Sequence, residues 1–287
     1  MRPMSQINPA PLPFMKMHGL GNDFVVLDAR VPESVLLEGD SGLPQGIVRG
    51  IAHRQMGIGF DQLALITQDH ESLYLTFYNA DGSTAGACGN ATRCVARYLM
   101  DESGAKSVTL VTERGELHAI DMGNGLTSVN MGHPQLEWHE VPLAHEMDTL
   151  NLPIDGAPTA TGMGNPHCTF FVENAQAVDL PTFGALHEHH PLYPQRTNVQ
   201  VAQITGTDRI RMRVWERGVG ITLASGSSSC ATAVAAARRG LTGRCVTIDL
   251  DGGTLQIDWR DDGVWMTGET MHVADGTFTP AFLRSCL

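Results

Sequence analysis

Lysine is almost missing from this 287-residue chain: Lys16 and Lys106 are the two among 19 basic residues. A pyridoxal Schiff base therefore has two candidate anchors, and neither has the desolvated setting that activates an amine, since Lys106 sits in the polar loop Glu102-Ser-Gly-Ala-Lys-Ser107. Basic clusters are missing too. Nothing larger than Arg238-Arg239 occurs, and 31 acidic residues against those 19 give a net charge of −12, which repels a phosphate backbone and argues against nucleic-acid binding. No 18 apolar residues run together, and Met1 to Pro13 carries four prolines but no apolar signal core. Membrane spanning and secretion lack support, and the cytoplasm is the expected compartment. The six cysteines make no CxxC pair, so zinc or thioredoxin-type chemistry is not indicated. His187-Glu-His-His190 has no strong ligand spacing and reads as a solvated helix end, leaving no metal site in the expectation.

What is present is 42% hydrophobic residues and 31 glycines, enough for a sizeable core in one large domain or two ordinary ones, and unlike disorder or coiled coil. The chain also repeats itself. Thr76-Phe-Tyr-Asn-Ala-Asp-Gly-Ser-Thr-Ala-Gly-Ala-Cys-Gly-Asn90 parallels Arg213-Val-Trp-Glu-Arg-Gly-Val-Gly-Ile-Thr-Leu-Ala-Ser-Gly-Ser227, with Cys88 nine residues after Asn79 and Ser225 nine after Glu216. Each segment reads as a strand, a glycine loop and an Ala-rich helix, Asn90 to Asp101 and Ser227 to Arg239, closing near Gly104 or Gly240. A glycine-turned hairpin follows each, Val108–Thr112 with Glu116–Ile120 and Val246–Leu250 with Thr254–Asp258. Gly21-Asn and Gly164-Asn each lead into a β-rich stretch ahead of these units. The pattern predicts a duplicated domain, and such pairs commonly place a site between the copies.

In each copy a small reactive residue stands at the strand-to-helix junction: Cys88 before Gly89-Asn90, Ser225 before Gly226-Ser227. Free N–H groups and the positive dipole end at a helix start bind carboxylates and lower a thiol pKa. Two such starts predict chemistry on a carbon bearing a carboxylate. Cys94 and Cys230, further along their helices, read as buried packing residues, and Cys168 falls in an apolar strand. Gly57-Ile-Gly-Phe-Asp is not a dinucleotide fingerprint, and Ser225-Gly-Ser is not a nucleophile elbow.

Eight motifs standing in order make the sequence resemble the diaminopimelate epimerases: Met15-Lys-Met-His-Gly-Leu-Gly-Asn-Asp-Phe24, Gly57-Ile-Gly-Phe-Asp-Gln62, Asn79-Ala-Asp-Gly82, Cys88-Gly-Asn90, Gly164-Asn-Pro-His167, Arg196-Thr-Asn198, Trp215-Glu-Arg-Gly218 and Met266-Thr-Gly268. The resemblance implies an α+β fold of two pseudo-twofold-related duplicated domains, each a curved, mostly antiparallel sheet wrapped around a central helix. The halves are expected over 1–128, with segment 276–287 returning to it, and 129–275. It implies a cofactor-independent isomerase that interconverts LL- and meso-2,6-diaminopimelate, on the path to lysine and peptidoglycan, using a small amino-acid substrate and working as a homodimer. A thiolate takes the α-proton from one face while a thiol donates on the other. Carried over residue by residue, Cys88 is one base; Gly89, Asn90, Gly226 and Ser227 hold the reacting carboxylate; Glu216 meets the α-amino group. Asn22, Asn79, Asn165, Asn198 and Arg217 grip the distal end, and Gln62 and His167 line the pocket.

The departure is central: the second cysteine of the family pattern is Ser225 here. Cys230 cannot replace it, because five helical residues turn a side chain about 140° away. Ile221-Thr-Leu and Ser228-Ser229 also depart, from Glu-Thr-Gln and Gly-Ala. The residues leave open an epimerase with one altered base, a one-thiol relative acting on another amino acid as a racemase or β-eliminating lyase, and an inactive diamino-acid-binding protein. A hydroxyl is a far weaker acid than a thiol, so without a neighbouring base the Ser225 face is expected to abstract no proton, making epimerisation slow or undetectable.

Overall fold

Each helix that matters to the site exists because two strands must run parallel, and a parallel pair needs a crossover. The computed structural model describes residues 10–30 and 42–287. After β1 (Leu12–Gly19), strand β2 (Asn22–Asp28) leads through α1 (Gln45–Ala52) to β3 (Gln62–Asp69), which pairs parallel to β2. Strand β4 (Ser72–Asn79) turns back antiparallel on β3, carries the two-residue β5 (Thr84–Ala85), and leads through α2 (Gly89–Ser103) to β6 (Ser107–Thr112), again parallel. The glycine hairpin to β7 (Gly115–Gly123) follows, and then β8 (Leu126–Asn130).

The second copy repeats this order. β9 (Thr159–Gly162) and β10 (Pro166–Phe171) form an antiparallel pair, α3 (Leu180–Glu188) crosses over, and β11 (Asn198–Gly206) pairs parallel to β10. β12 (Arg209–Glu216) carries β13 (Gly220–Thr222), and α4 (Gly226–Arg238) leads to β14 (Cys245–Asp249), parallel to β12. β15 (Thr254–Arg260) and β16 (Gly263–Glu269) complete the meander. The chain is thus an α+β duplication in which most strand pairs are antiparallel.

The copies trade an end strand. β8 pairs antiparallel with β16, and β17 (Met271–Phe278) pairs antiparallel with β1, followed by α5 (Pro280–Ser285). One compact unit accordingly runs to Gly19, takes Asp23–Asp121 and ends with Thr270–Leu287; the other holds Leu20–Asn22 and Met122–Glu269.

Within the second unit α4 is the centre of the core. Cys230, Ala231, Ala233, Val234 and Ala236 pack among Met212, Ile248, Leu255, Ile257 and Met266, and Ala-rich helix faces let the surrounding strands approach closely. A further apolar layer joins α3 to the other face of β10 and β11 through Phe170, Leu180, Val199 and Val201. In the first unit α2 lies against β1 and β6, while Ile47, Val48 and Ile51 of α1 and Leu283 of α5 cover β2 and β3. Helix α2 stops at Gly104, whose φ of +72° supplies the left-handed cap.

Candidate functional site

In the first unit the site residues gather where β4 gives way to α2. Cys88 is the N-cap, with extended backbone, and its Sγ accepts the Ala91 N–H at 3.5 Å. A sulfur aimed at a helix start stands among donors and the positive dipole end, the surroundings that favour a thiolate. Gly89 and Asn90 open the helix; Asn90 is buried and its Oδ1 accepts from Nη1 of the fully buried Arg93 at 3.1 Å. Its backbone, rather than its side chain amide oxygen, is what the helix start offers an anion. One turn of sheet away, Gln62 faces Asn79 across the β3–β4 register and donates to its Oδ1 at 3.1 Å. Ser83 receives the Asn79 amide at 3.1 Å.

The second unit builds the equivalent junction differently. Ser225 is the N-cap of α4 but makes no side-chain cap bond. Its hydroxyl turns instead to Glu216 Oε2 at 2.9 Å and Ser228 Oγ at 3.0 Å. Glu216 is held by the Thr222 hydroxyl on its other oxygen at 2.6 Å. β12 and β13 bring this carboxylate against the hydroxyl, because the antiparallel pair places Glu216 opposite Gly220 and Val214 opposite Thr222.

Beneath Ser225 lies a polar stripe that motif reading did not collect. The parallel register sets His167 beside Asn198 and Thr169 beside Gln200, so alternate positions of two otherwise apolar strands form one buried polar face. Thr169 donates to Gln200 Oε1 at 3.1 Å, which orients the Gln200 amide nitrogen toward His167 Nδ1 and Ser228 Oγ, both at 3.0 Å. His167 Nε2 meets Asn165 Oδ1 at 2.8 Å, and Ser228 Oγ lies 3.4 Å from His167 Nδ1. His167, Gln200 and Ser228 are fully buried. The signal available in sequence was period-two polarity within β-rich runs, together with the Ser228 departure.

Two of the residues expected at the distal end, Asn198 and Arg217, meet at one corner. Asn198 ties the corner together, donating to the Pro166 carbonyl at 2.9 Å and accepting the Arg217 backbone N–H at 3.0 Å. Arg217 has its pKa lowered by burial and by the Arg196 charge beside it, against a smaller opposing pull from Glu188; a carboxylate arriving there would relieve that cost. Glu188 is the missed residue. The helix end expected to be solvated is instead buried at His187 and Glu188. Glu188 accepts from Trp215 Nε1 at 2.7 Å, the Gly218 N–H at 2.9 Å and Arg196 at 3.3 Å, the first two 27 and 30 positions along the chain. Asn22 starts β2, half-buried, and groups with the second unit; Gly226 and Ser227 form the first residues of α4.

Cys94 and Cys168 are buried, and burial pushes both thiols up to about 12; Cys230 is buried as well. None is exposed enough to serve as a base. Both lysines are ion-paired, Lys16 to Asp23 and Lys106 to Asp121. Among the described residues no cluster of His, Cys, Asp and Glu has metal-holding geometry and no helix is long and apolar enough to cross a membrane.

The duplicated unit begins its two central helices at a thiol and at a hydroxyl, and the protein's sequence relatives make it an isomerase of the epimerase class. The sequence comparisons narrow the class. The chain belongs to the diaminopimelate epimerase family, whose model matches residues 14–137 and 159–273. It is 49% identical over 282 residues to the diaminopimelate epimerase of Rhodospirillum centenum, covering 96% of this chain and 94% of that protein. It is 48% identical over 281 residues to that of Acidiphilium cryptum, covering 96% and 99%. Among solved structures, a hydroxyproline epimerase from Agrobacterium vitis shares the fold with a TM-score of 0.65 at 13% identity, over 93% of this chain and 91% of that one.

Proposed function

We propose that this protein interconverts LL- and meso-2,6-diaminopimelate by two-base proton transfer at the α-carbon, with Cys88 serving one face and Ser225 the other. The observation that carries the reading is the matched pair of helix starts: Cys88 caps α2 and Ser225 caps α4, nine residues after Asn79 and Glu216 respectively. Backbone N–H groups of Gly89, Asn90, Gly226 and Ser227 bind the reacting carboxylate and take up charge as the α-carbon loses its proton. Glu216 receives the α-ammonium, and Asn22, Asn79, Asn165, Asn198 and Arg217 hold the distal amino-acid end, with Gln62 and His167 in the pocket wall. The hydroxyl at 225 makes the reaction slower than a second thiol would. Cytoplasmic location, a homodimer and a place in lysine and peptidoglycan precursor synthesis belong to the same reading.

The test is proton NMR of LL- and meso-diaminopimelate in D₂O. Interconversion with deuterium entering the α-position is expected, lost in Cys88→Ala and at least tenfold faster in Ser225→Cys. Failure of both the parent and Ser225→Cys to interconvert the isomers overturns the reading. Ser225 itself favours one competitor, a one-thiol relative, and α-exchange or β-elimination of a single stereoisomer without interconversion would select it.

A further inference from the structure

Glu188 stands at the end of α3, outside the motifs that carry the family resemblance, yet it is buried and turned toward the corner that holds Arg217. Its two oxygens serve different donors. Oε2 accepts Trp215 Nε1 at 2.7 Å, while Oε1 accepts the Gly218 N–H at 2.9 Å and Arg196 Nη1 at 3.3 Å. One carboxylate thus anchors both ends of the segment Trp215–Gly218, with Glu216 and Arg217 between the anchors. We propose that Glu188 is a positioning residue that aims Arg217 at the distal carboxylate of the substrate and so sets which amino acids the site prefers. The inference rests on the epimerase reading and specifies how its distal end is selected.

The aim is fixed from two directions. The Gly218 N–H on Glu188 Oε1, together with the Arg217 N–H on Asn198 Oδ1 at 3.0 Å, holds the backbone from which the guanidinium departs. The guanidinium itself reaches the loop before β11, where Arg217 Nη1 donates to the Gln195 carbonyl at 3.1 Å. Glu188 holds that loop as well. Arg196 pairs with its side chain, and the Thr197 N–H donates to its backbone carbonyl at 3.1 Å. A single residue therefore registers both the origin of the Arg217 side chain and the place where it lands. The Glu188–Arg196 pair also offsets one of the two guanidinium charges at this corner, leaving the other for a ligand carboxylate.

The carboxylate form is essential to this arrangement, because both oxygens face donors. A glutamine of the same shape would turn its NH₂ toward either Trp215 Nε1 or the Gly218 N–H, and a donor set against a buried donor forfeits one anchor. Arg217 would then keep its charge and lose its aim.

Calorimetry of the full chain with diaminopimelate and with lysine, which lacks the distal carboxylate, tests this. The parent should prefer diaminopimelate at least tenfold, and Glu188→Gln should cut that ratio at least fivefold while lysine affinity changes less than twofold. In Arg217→Ala, where the guanidinium is gone, adding Glu188→Gln should change the ratio less than twofold. A merely structural role would weaken both ligands together and leave the ratio intact, which would overturn the proposal. A further fall of the ratio in the Arg217→Ala background would also overturn it, since the effect would not pass through Arg217. Trp215→Phe keeps the ring and removes one donor to Glu188, and should lower the ratio at least twofold. If Glu188→Gln does not fold, Trp215→Phe decides, and an unchanged ratio there overturns the proposal. A parent without preference would remove the distal-carboxylate reading and the proposal with it, whereas a parental preference that survives in Glu188→Gln would remove the proposal alone.

Discussion

At the scale of single residues, the two helix caps differ in what their side chains meet. The Cys88 sulfur accepts the Ala91 N–H, whereas the Ser225 hydroxyl meets Glu216 and Ser228. Arg217 gives the sharpest substrate prediction at this scale. Its charge is disfavoured by burial and by Arg196, so a ligand with a distal carboxylate gains there while lysine, which lacks one, leaves the site unpaired at about 1 to 3 kcal/mol. Calorimetry is expected to find diaminopimelate bound at least tenfold more tightly than lysine, and Arg217→Ala to erase most of that difference. Equal affinities for the two ligands in the parent would remove the distal-carboxylate assignment.

Elements are held by close approach in one place and by backbone conformation in another, and two glycines separate the causes. Gly184 of α3 lies so near Trp215 that an added Cβ would stand 2.5 Å from the tryptophan Cβ, and Trp215 cannot retreat without giving up Glu188. Gly184→Ala should therefore cost about 1 to 3 kcal/mol through overpacking and shift the tryptophan emission. Gly104 has open space around it and φ of +72°, so Gly104→Ala should cost about 1 kcal/mol through strain alone, leaving emission unchanged. Urea unfolding followed by fluorescence distinguishes the two. Identical spectral shifts would remove the packing explanation for Gly184.

Across the whole molecule the acid response is unevenly placed. Burial alone would raise Asp23, but hydrogen bonds and charge from Arg54 and Lys16 outweigh it and hold the carboxyl below its usual 3.8. At Asp28 burial is likewise outweighed, by Arg30 and Tyr98. A carboxyl depressed in the folded state contributes stability that is present above its unfolded pKa and lost as pH falls through the folded value. Both lie in the first unit, while all four tryptophans, Trp138, Trp215, Trp259 and Trp265, lie in the second. Acid titration below about pH 4 is expected to lower far-UV ellipticity before tryptophan emission changes, and Asp28→Asn should narrow the gap. Coincident transitions in the parent would place the acid-sensitive groups elsewhere.

The sequence by itself determined the features that depend on neighbours along the chain. The duplication, the strand-to-helix junctions at Cys88 and Ser225, the glycine stop of α2 and the hairpins after each helix were all legible, because caps, turns and periodicity act within a few residues. The family membership was legible for the same reason, in motifs short enough to stand intact. Tertiary structure alone decided which strand completes which sheet, since β8 and β16, or β1 and β17, satisfy backbone groups across more than a hundred residues. It alone buried Glu188, whose donors Trp215 and Gly218 arrive from β12 and the turn that follows it. It also brought His167 to Ser228, 61 positions apart, because a buried polar atom must find its partner in space, and sequence distance places no limit on where that partner lies.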